Sequence, residues 1–289
     1  MAERTREARG VTVPTLLYGT AWKEERTTDV VAQALMMGFR GLDTANQRQH
    51  YREAEVGRAL LAELQRGTLR REDVFVQTKF TFRRDQDHRL PYDPAAPVAH
   101  QVEQSFDSSL SHLGVDVVDS YLLQAPTLPQ GLATADIEAW RVMENLHDAG
   151  RVRFLGVSNF APDQLVTLLR AARVRPTFIQ NRCCASQGWD VSVRAICTRE
   201  GVTYQGFSLL TANEQVIHSS LVHDIARRHQ RAPAQVILRF ALQLGMIALT
   251  GTTNPQHMAD DLAVYEFKLT SAEVNAIEHA ATQERPPPG

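Results

Sequence analysis

The feature that most restricts the fold is an alternation. Short strand-like runs and amphipathic helix-like runs take turns along all 289 residues. Such alternation implies a parallel sheet covered by helices. Leu16 to Thr20 reads as a first strand, Arg40 to Asp43 as a second, Val74 to Lys79 as a third and Val117 to Gln124 as a fourth. Phe154 to Ser158, Phe178 to Asn181, Thr203 to Ser208 and Met246 to Thr250 continue the series. Helical patterns lie between them: Asp29 to Met37, Arg52 to Gln65, Val98 to Leu113, Asp136 to Ala149, and a segment opened by Pro162. Val191 to Glu200, Leu221 to His229, Ala234 to Leu244, Pro255 to Val264 and Ser271 to Ala281 complete the set. Gly38, Gly67, Gly114 and Gly150 stand where helices should stop. Thr27 or Thr28 can cap the first helix, and Thr270-Ser271-Ala272-Glu273 is a capping-box pattern for the last. Eight strand–helix units predict one (β/α)₈ TIM barrel of the α/β class, spanning residues 1–289, with 284–289 a disordered tail. A doubly wound sheet is the main rival, but no Gly-x-Gly-x-x-Gly follows the first strand.

Composition narrows the function classes. The formal net charge is -2, which gives no electrostatic reason to expect nucleic acid. No apolar stretch approaches membrane-spanning length. The N-terminal run is charged, so no secretory signal is expected. The cysteines Cys183, Cys184 and Cys197 show no metal spacing with histidine, which fits a reduced, cytoplasmic compartment. Nothing in the sequence sets the oligomeric state.

In a barrel of this kind the C-terminal ends of the strands converge on one face, where active sites sit. Asp43, Lys79 and Gln124 close the second, third and fourth strands, and Tyr51 lies on the loop after the second. A phenol with an ordinary pKa near 10 is a poor acid, and a neighbouring lysine tends to lower it while aspartate keeps that lysine charged. Taken singly, a strand-end aspartate is more often a turn residue and a tyrosine more often packing.

The segments Gly38-Phe39-Arg40-Gly41-Leu42-Asp43-Thr44-Ala45, Glu55-Val56-Gly57-Arg58-Ala59-Leu60, Gln77-Thr78-Lys79 and Gly156-Val157-Ser158-Asn159-Phe160 together resemble the aldo-keto reductase family, in the right order over nearly the whole chain. The resemblance implies a barrel that binds a nicotinamide dinucleotide without a Rossmann fold and interconverts carbonyls and alcohols by hydride transfer. It implies catalytic roles for Asp43, Tyr51 and Lys79. The spacing from aspartate to tyrosine is longer than the family's, with Asn46 to His50 extended. Where the family has a histidine closing the fourth strand, this chain has Gln124. An amide can donate a hydrogen bond to a substrate oxygen but cannot carry a proton.

For the cofactor, the resemblance implies that Ser158, Asn159 and Gln180 hold the nicotinamide carboxamide and that Phe207 stacks on its ring. Ser208 and Leu209 fall on the pyrophosphate loop, and Gly19 and Thr20 lie at the end of the first strand. Where the family often carries a lysine and an arginine for the 2′-phosphate, this chain has Thr250-Gly251-Thr252 and His257, followed by Asp260 and Asp261. The expected cofactor is therefore NADPH, with NADH possible. Trp22, Phe80, Gln124 and Trp189 are the expected substrate-pocket residues, with Phe82, Tyr92, Pro126 and Cys184 as similar candidates. The irregular segment Arg83 to Pro97 is expected to cover the site. The reading is an NADPH-dependent reductase of a small-molecule aldehyde or ketone. Its alternatives are reduction of an activated C=C bond and a weakly active nucleotide-binding regulatory subunit.

Overall fold

The alternation closes on itself. The computed structural model describes residues 4–280. In chain order the elements are β1 Thr5–Ala8, β2 Val11–Pro14, β3 Leu16–Gly19, α1 Thr27–Met37, β4 Gly41–Asp43, α2 Glu53–Gln65, β5 Phe75–Phe80, α3 Val98–Leu113, β6 Val118–Leu123, α4 Thr134–Asp148 and β7 Val152–Ser158. They continue with α5 Pro162–Ala171, β8 Phe178–Arg182, α6 Val191–Glu200, β9 Thr203–Phe207, α7 Glu214–Ile217, α8 Ser220–His229, α9 Pro233–Gln243, β10 Ile247–Thr250, α10 Pro255–Leu262 and α11 Ser271–Ala280. Strands β3 to β10 form a closed parallel barrel in the order β10-β3-β4-β5-β6-β7-β8-β9. The protein is thus a (β/α)₈ barrel, as the strand–helix pattern predicts.

Most boundaries fall within two residues of the sequence reading, and the differences have physical causes. Thr27 does not cap α1 from outside. It lies in the first turn, and its hydroxyl donates to the Glu24 carbonyl at 2.7 Å. The capping box of α11 forms: the Thr270 backbone N–H donates to Glu273 at 2.9 Å, and the Glu273 N–H to the Thr270 hydroxyl at 3.2 Å. Gly38 ends α1 in the left-handed region, with φ 114°, where a side chain would be strained. Gly57 is required by contact rather than by φ. A Cβ there would lie 2.0 Å from the His112 carbonyl oxygen, so glycine lets α2 pack directly against the end of α3. The disordered tail expected at 284–289 lies outside the described residues.

One element was not expected. β1 and β2 form an antiparallel hairpin. Val13 and Ala8 pack with Phe75, Phe154, Phe178 and Ile247, residues from the starts of four barrel strands. The hairpin therefore plugs the N-terminal end of the barrel and leaves the other end open for chemistry.

Candidate active site

The open end holds a cavity of about 480 Å³, within the usual range for small-molecule sites. Asp43, at the end of β4, reaches into it from below and is buried. The wholly enclosed Lys79 ammonium donates to both Asp43 carboxylate oxygens at 2.8 Å and to the Thr44 carbonyl at 2.8 Å. A buried ion pair of this kind is tolerable only when its remaining valences are filled, as here.

Tyr51 completes the group despite the longer loop. The Tyr51 backbone N–H donates to the Gln47 carbonyl at 2.9 Å, closing a single helical turn over residues 47–51. That turn is anchored by the Gln47 side chain on the Asp85 carbonyl and by Asn46 on the Ser105 carbonyl at 3.0 Å. The extra residues are absorbed there, and Tyr51 lines the cavity with the Lys79 nitrogen 5.2 Å from its ring centre. Burial pushes the phenol above its ordinary range. Lys79 pulls it down and Asp43 pushes it up, and the net direction is upward. The expected lowering by lysine is thus real but outweighed. Burial alone would depress Lys79; Asp43 and Tyr51 outweigh it and hold the ammonium above its usual range.

Gln124 lines the cavity next to this group. Its backbone is fixed by Asn159, whose side-chain N–H donates to the Gln124 carbonyl at 2.9 Å. Asn159 adopts φ 58°, a left-handed position that asparagine tolerates better than most residues. The Gln124 Oε1 atom is enclosed with no hydrogen-bond partner among the described residues.

The other expected residues divide cleanly. Ser158, Gln180, Phe207, Ser208 and Leu209 line the cavity along one wall. Gly19 and Trp22 line it from the β3 side, and Thr250, Gly251, Thr252 and His257 from the β10 side. Thr20 is buried behind, with its hydroxyl on the Asp43 carbonyl at 3.0 Å. Asn159 sits at the strand end rather than in the lining, and Asp260 accepts from Gln256 at 3.1 Å on the outer face of α10. Phe80 and Trp189 are not in the cavity. Phe80 packs edge-on to Phe82 at 5.0 Å and beside Tyr92 at 5.8 Å, and Trp189 packs on Phe240 at 4.8 Å. Cys184 is also buried away from the lining, and the long loop 83–97 contributes no lining residue. The Tyr92 hydroxyl ties that loop down by donating to the Thr81 carbonyl at 2.9 Å.

Residues that the sequence reading missed include two cations. Lys23 donates to the Gly251 carbonyl across the cavity, and burial with Arg26 nearby holds it below its ordinary range. Arg182, one position past the expected end of its strand, lies over the Phe207 ring at 5.6 Å. Their signal was available: each directly follows or nearly follows a strand end. Among the described residues no group of His, Cys, Asp and Glu could hold a metal ion, and no helix is long and apolar enough to cross a membrane.

Asp261 is a special case. Its carboxylate is buried and accepts from the Thr250 hydroxyl at 2.5 Å. Burial pushes it up to about 6, against an opposing pull from Thr250 and His257. A carboxyl raised on folding binds more protons in the folded state, so stability falls as pH rises from about 4 to about 6. Asp261→Asn keeps an acceptor for Thr250 and removes that penalty. The variant should be more stable than the parent by up to about 3 kcal/mol at pH 7.5, with the gap closing near pH 4. Urea denaturation at both pH values checks this; an equal gap at both would show that ionisation is not the cause.

Comparison with known proteins gives a consistent picture. The sequence model of the Aldo/keto reductase family matches residues 15–282. An aldo-keto reductase of Mycolicibacterium smegmatis is 31% identical, with 90% of this chain and 86% of the relative covered. A morphine 6-dehydrogenase of Pseudomonas putida is 30% identical, with 94% and 89% covered. Among solved structures, an aldo/keto reductase of Brucella melitensis superposes with TM-score 0.80 at 27% identity, covering 95% of this chain and 98% of that one. A Bombyx mori aldo-keto reductase in complex with NADP gives TM-score 0.82 at 24% identity, covering 97% and 94%, and bears on the fold alone.

Proposed function

The chain belongs to the aldo/keto reductase family and is an NAD(P)H-dependent oxidoreductase, and on that premise we propose that it reduces the carbonyl of a small aldehyde or ketone with Tyr51 as proton donor. The observation that carries this reading is the placement of the Tyr51 phenol in the cavity, beside a Lys79 ammonium that Asp43 holds charged. With its pKa above the ordinary phenol range, Tyr51 keeps its proton at neutral pH and can hand it to a carbonyl oxygen. Lys79 then stabilises the phenolate left behind. Gln124, in the cavity wall, supplies an amide that can donate to the substrate oxygen and orient it; it supplies geometry and no proton.

The cavity suits a nicotinamide dinucleotide. Phe207 offers an aromatic face, Ser158, Gln180 and His257 offer polar atoms in the same space, and Lys23 and Arg182 bring positive charge to it. When bound, the cofactor supplies the hydride, and these residues bind and orient it. NADPH is the preferred form in this reading, with NADH accepted, because two cations, Lys23 and Arg182, face the cavity without a dedicated lysine–arginine pair after β10. Relatives named as a morphine 6-dehydrogenase and a prostaglandin-E(2) 9-reductase support carbonyl–alcohol chemistry. The site remains one for a small molecule, and a cytoplasmic location stays part of the proposal. Gln124 also favours a second reading, reduction of an enone C=C, since an amide can hold the enone oxygen without protonating it.

The test is NADPH oxidation with a panel of aldehydes, ketones and enones. The parent should turn over at least one class, and Gln124→His should reduce simple aldehydes at least as fast. If both are inert with every compound while NADPH binds tightly, the protein is a nucleotide-sensing subunit and the reductase reading fails.

A further inference from the structure

Beneath Asp43 the barrel interior is polar where such barrels are usually filled by branched aliphatic side chains. Gln77 of β5 and Gln205 of β9 are fully buried and come from opposite sides of the barrel. Their amides pair across it: Gln77 Nε2 donates to Gln205 Oε1 at 2.8 Å, and Gln205 Nε2 to Gln77 Oε1 at 3.0 Å. Gln77 Nε2 also donates to Asp43 Oδ1 at 2.7 Å. Gln180 Nε2 donates to the same Asp43 oxygen at 2.8 Å and to Gln205 Oε1 at 3.0 Å.

The bookkeeping of donors fixes every amide. An ionised carboxylate only accepts, so Gln77 and Gln180 must both turn nitrogen toward Asp43. Both hydrogens of Gln180 Nε2 are then used, and both lone pairs of Gln205 Oε1 are filled. The remaining polar atom of Gln180 is Oε1, and Gln180 lines the cavity. Partly satisfied buried networks are costly; in this one each amide of Gln77 and Gln205 is bonded at both its nitrogen and its oxygen, and Gln180 Oε1 is the atom left for the cavity.

We propose that Gln77 and Gln205 are positioning residues: their paired amides lock Gln180 so that it faces the cavity solely as an acceptor, and they hold Asp43 under Lys79. This rests on the nicotinamide reading of the cavity. The group that docks on Gln180 must bring an N–H, which the nicotinamide carboxamide has and an acid or ester in its place lacks. The network therefore selects the amide form of the pyridine ring and orients its N–H₂ toward Gln180. Neither Gln77 nor Gln205 lines the cavity, so both act through their neighbours.

The experiment measures binding rather than turnover. NADPH and adenosine 2′,5′-bisphosphate, which lacks the nicotinamide, are titrated into the parent, Gln77→Leu and Gln77→Glu by calorimetry across pH 5–9. Gln77→Leu should weaken NADPH roughly tenfold, the size of one misdirected hydrogen bond, and leave the adenosine fragment unchanged. Gln77→Glu is the second arm should the leucine variant not fold. Its introduced acid, while protonated, can still donate to Asp43. On ionising it repels Asp43 and disturbs Gln180, so NADPH affinity should fall with a titration absent from the parent. Equal NADPH affinity in the leucine variant, or no new titration in the glutamate variant, overturns the positioning role. Failure of the parent itself to bind NADPH or NADH overturns the nucleotide reading, and this proposal with it.

Discussion

Tyr51→Phe is expected to lower kcat by roughly 10²–10⁴-fold, the usual range for loss of a general acid, while NADPH affinity stays near that of the parent. The ring stays in the cavity wall beside Lys79, so packing is kept and only the hydroxyl is lost. The parent's own pH profile supplies a second check. Because burial raises the Tyr51 pKa despite Lys79, carbonyl reduction should run level through the neutral range and decline only in the alkaline range. Alcohol oxidation needs the phenolate and should rise in that same range. The profile should also lack a histidine-like inflection attributable to the residue closing β6, since that residue is Gln124. Steady-state kinetics in both directions test this. A phenylalanine variant with full turnover would place the proton donor elsewhere.

Lys79→Met is expected to cost both activity and stability. The methionine is about as long and apolar as the lysine stem, so the main change is that the buried Asp43 loses its ammonium partner. Removing one partner of a buried ion pair costs about 3–5 kcal/mol, because the other charge is left uncompensated. The hydrogen bonds from Gln77 and Gln180 to Asp43 remain, which places the expected loss near the lower end of that range. Asp43→Asn combined with Lys79→Met should recover most of the stability, since no charge is then stranded, but little activity. Urea denaturation of the single and double variants measures the coupling. Additive losses would mean that the two groups do not act as a pair.

The sequence carried the barrel because each strand and helix has its own period and its own punctuation. It did not carry the hairpin of β1 and β2, whose strands have four residues each and whose sequence Thr5-Arg6-Glu7-Ala8 is too polar to read as sheet. Its role is visible only when Val13 and Ala8 meet the phenylalanines at the barrel floor. The site was legible where strand ends were, at Asp43, Lys79 and Gln124. Two misplacements had a remedy in the pattern. Successive residues of a strand point to opposite faces, so with Lys79 pointing inward Phe80 had to point outward into the helix layer. The same rule puts Gln77 on the face of Lys79, and Gln205 on the face of Phe207, two residues along in each case. Trp189 had no such guide. It sits in a segment where Gly188, Trp189 and Asp190 all have positive φ, a local course that no periodicity describes.

Hydride delivery to a carbonyl carbon inside this cavity is tested most directly by an isotope measurement. The enzyme is supplied with NADPH carrying deuterium at C4 of the nicotinamide and with the best aldehyde of the panel, and the product alcohol is examined by mass spectrometry and NMR. Deuterium should appear on the carbinol carbon, from one face of the cofactor only, and the new hydroxyl proton should come from solvent by way of Tyr51. An alcohol product with no deuterium on that carbon from either C4 epimer of the labelled cofactor, or tight NADPH binding with no product from any carbonyl, would contradict hydride delivery in this cavity.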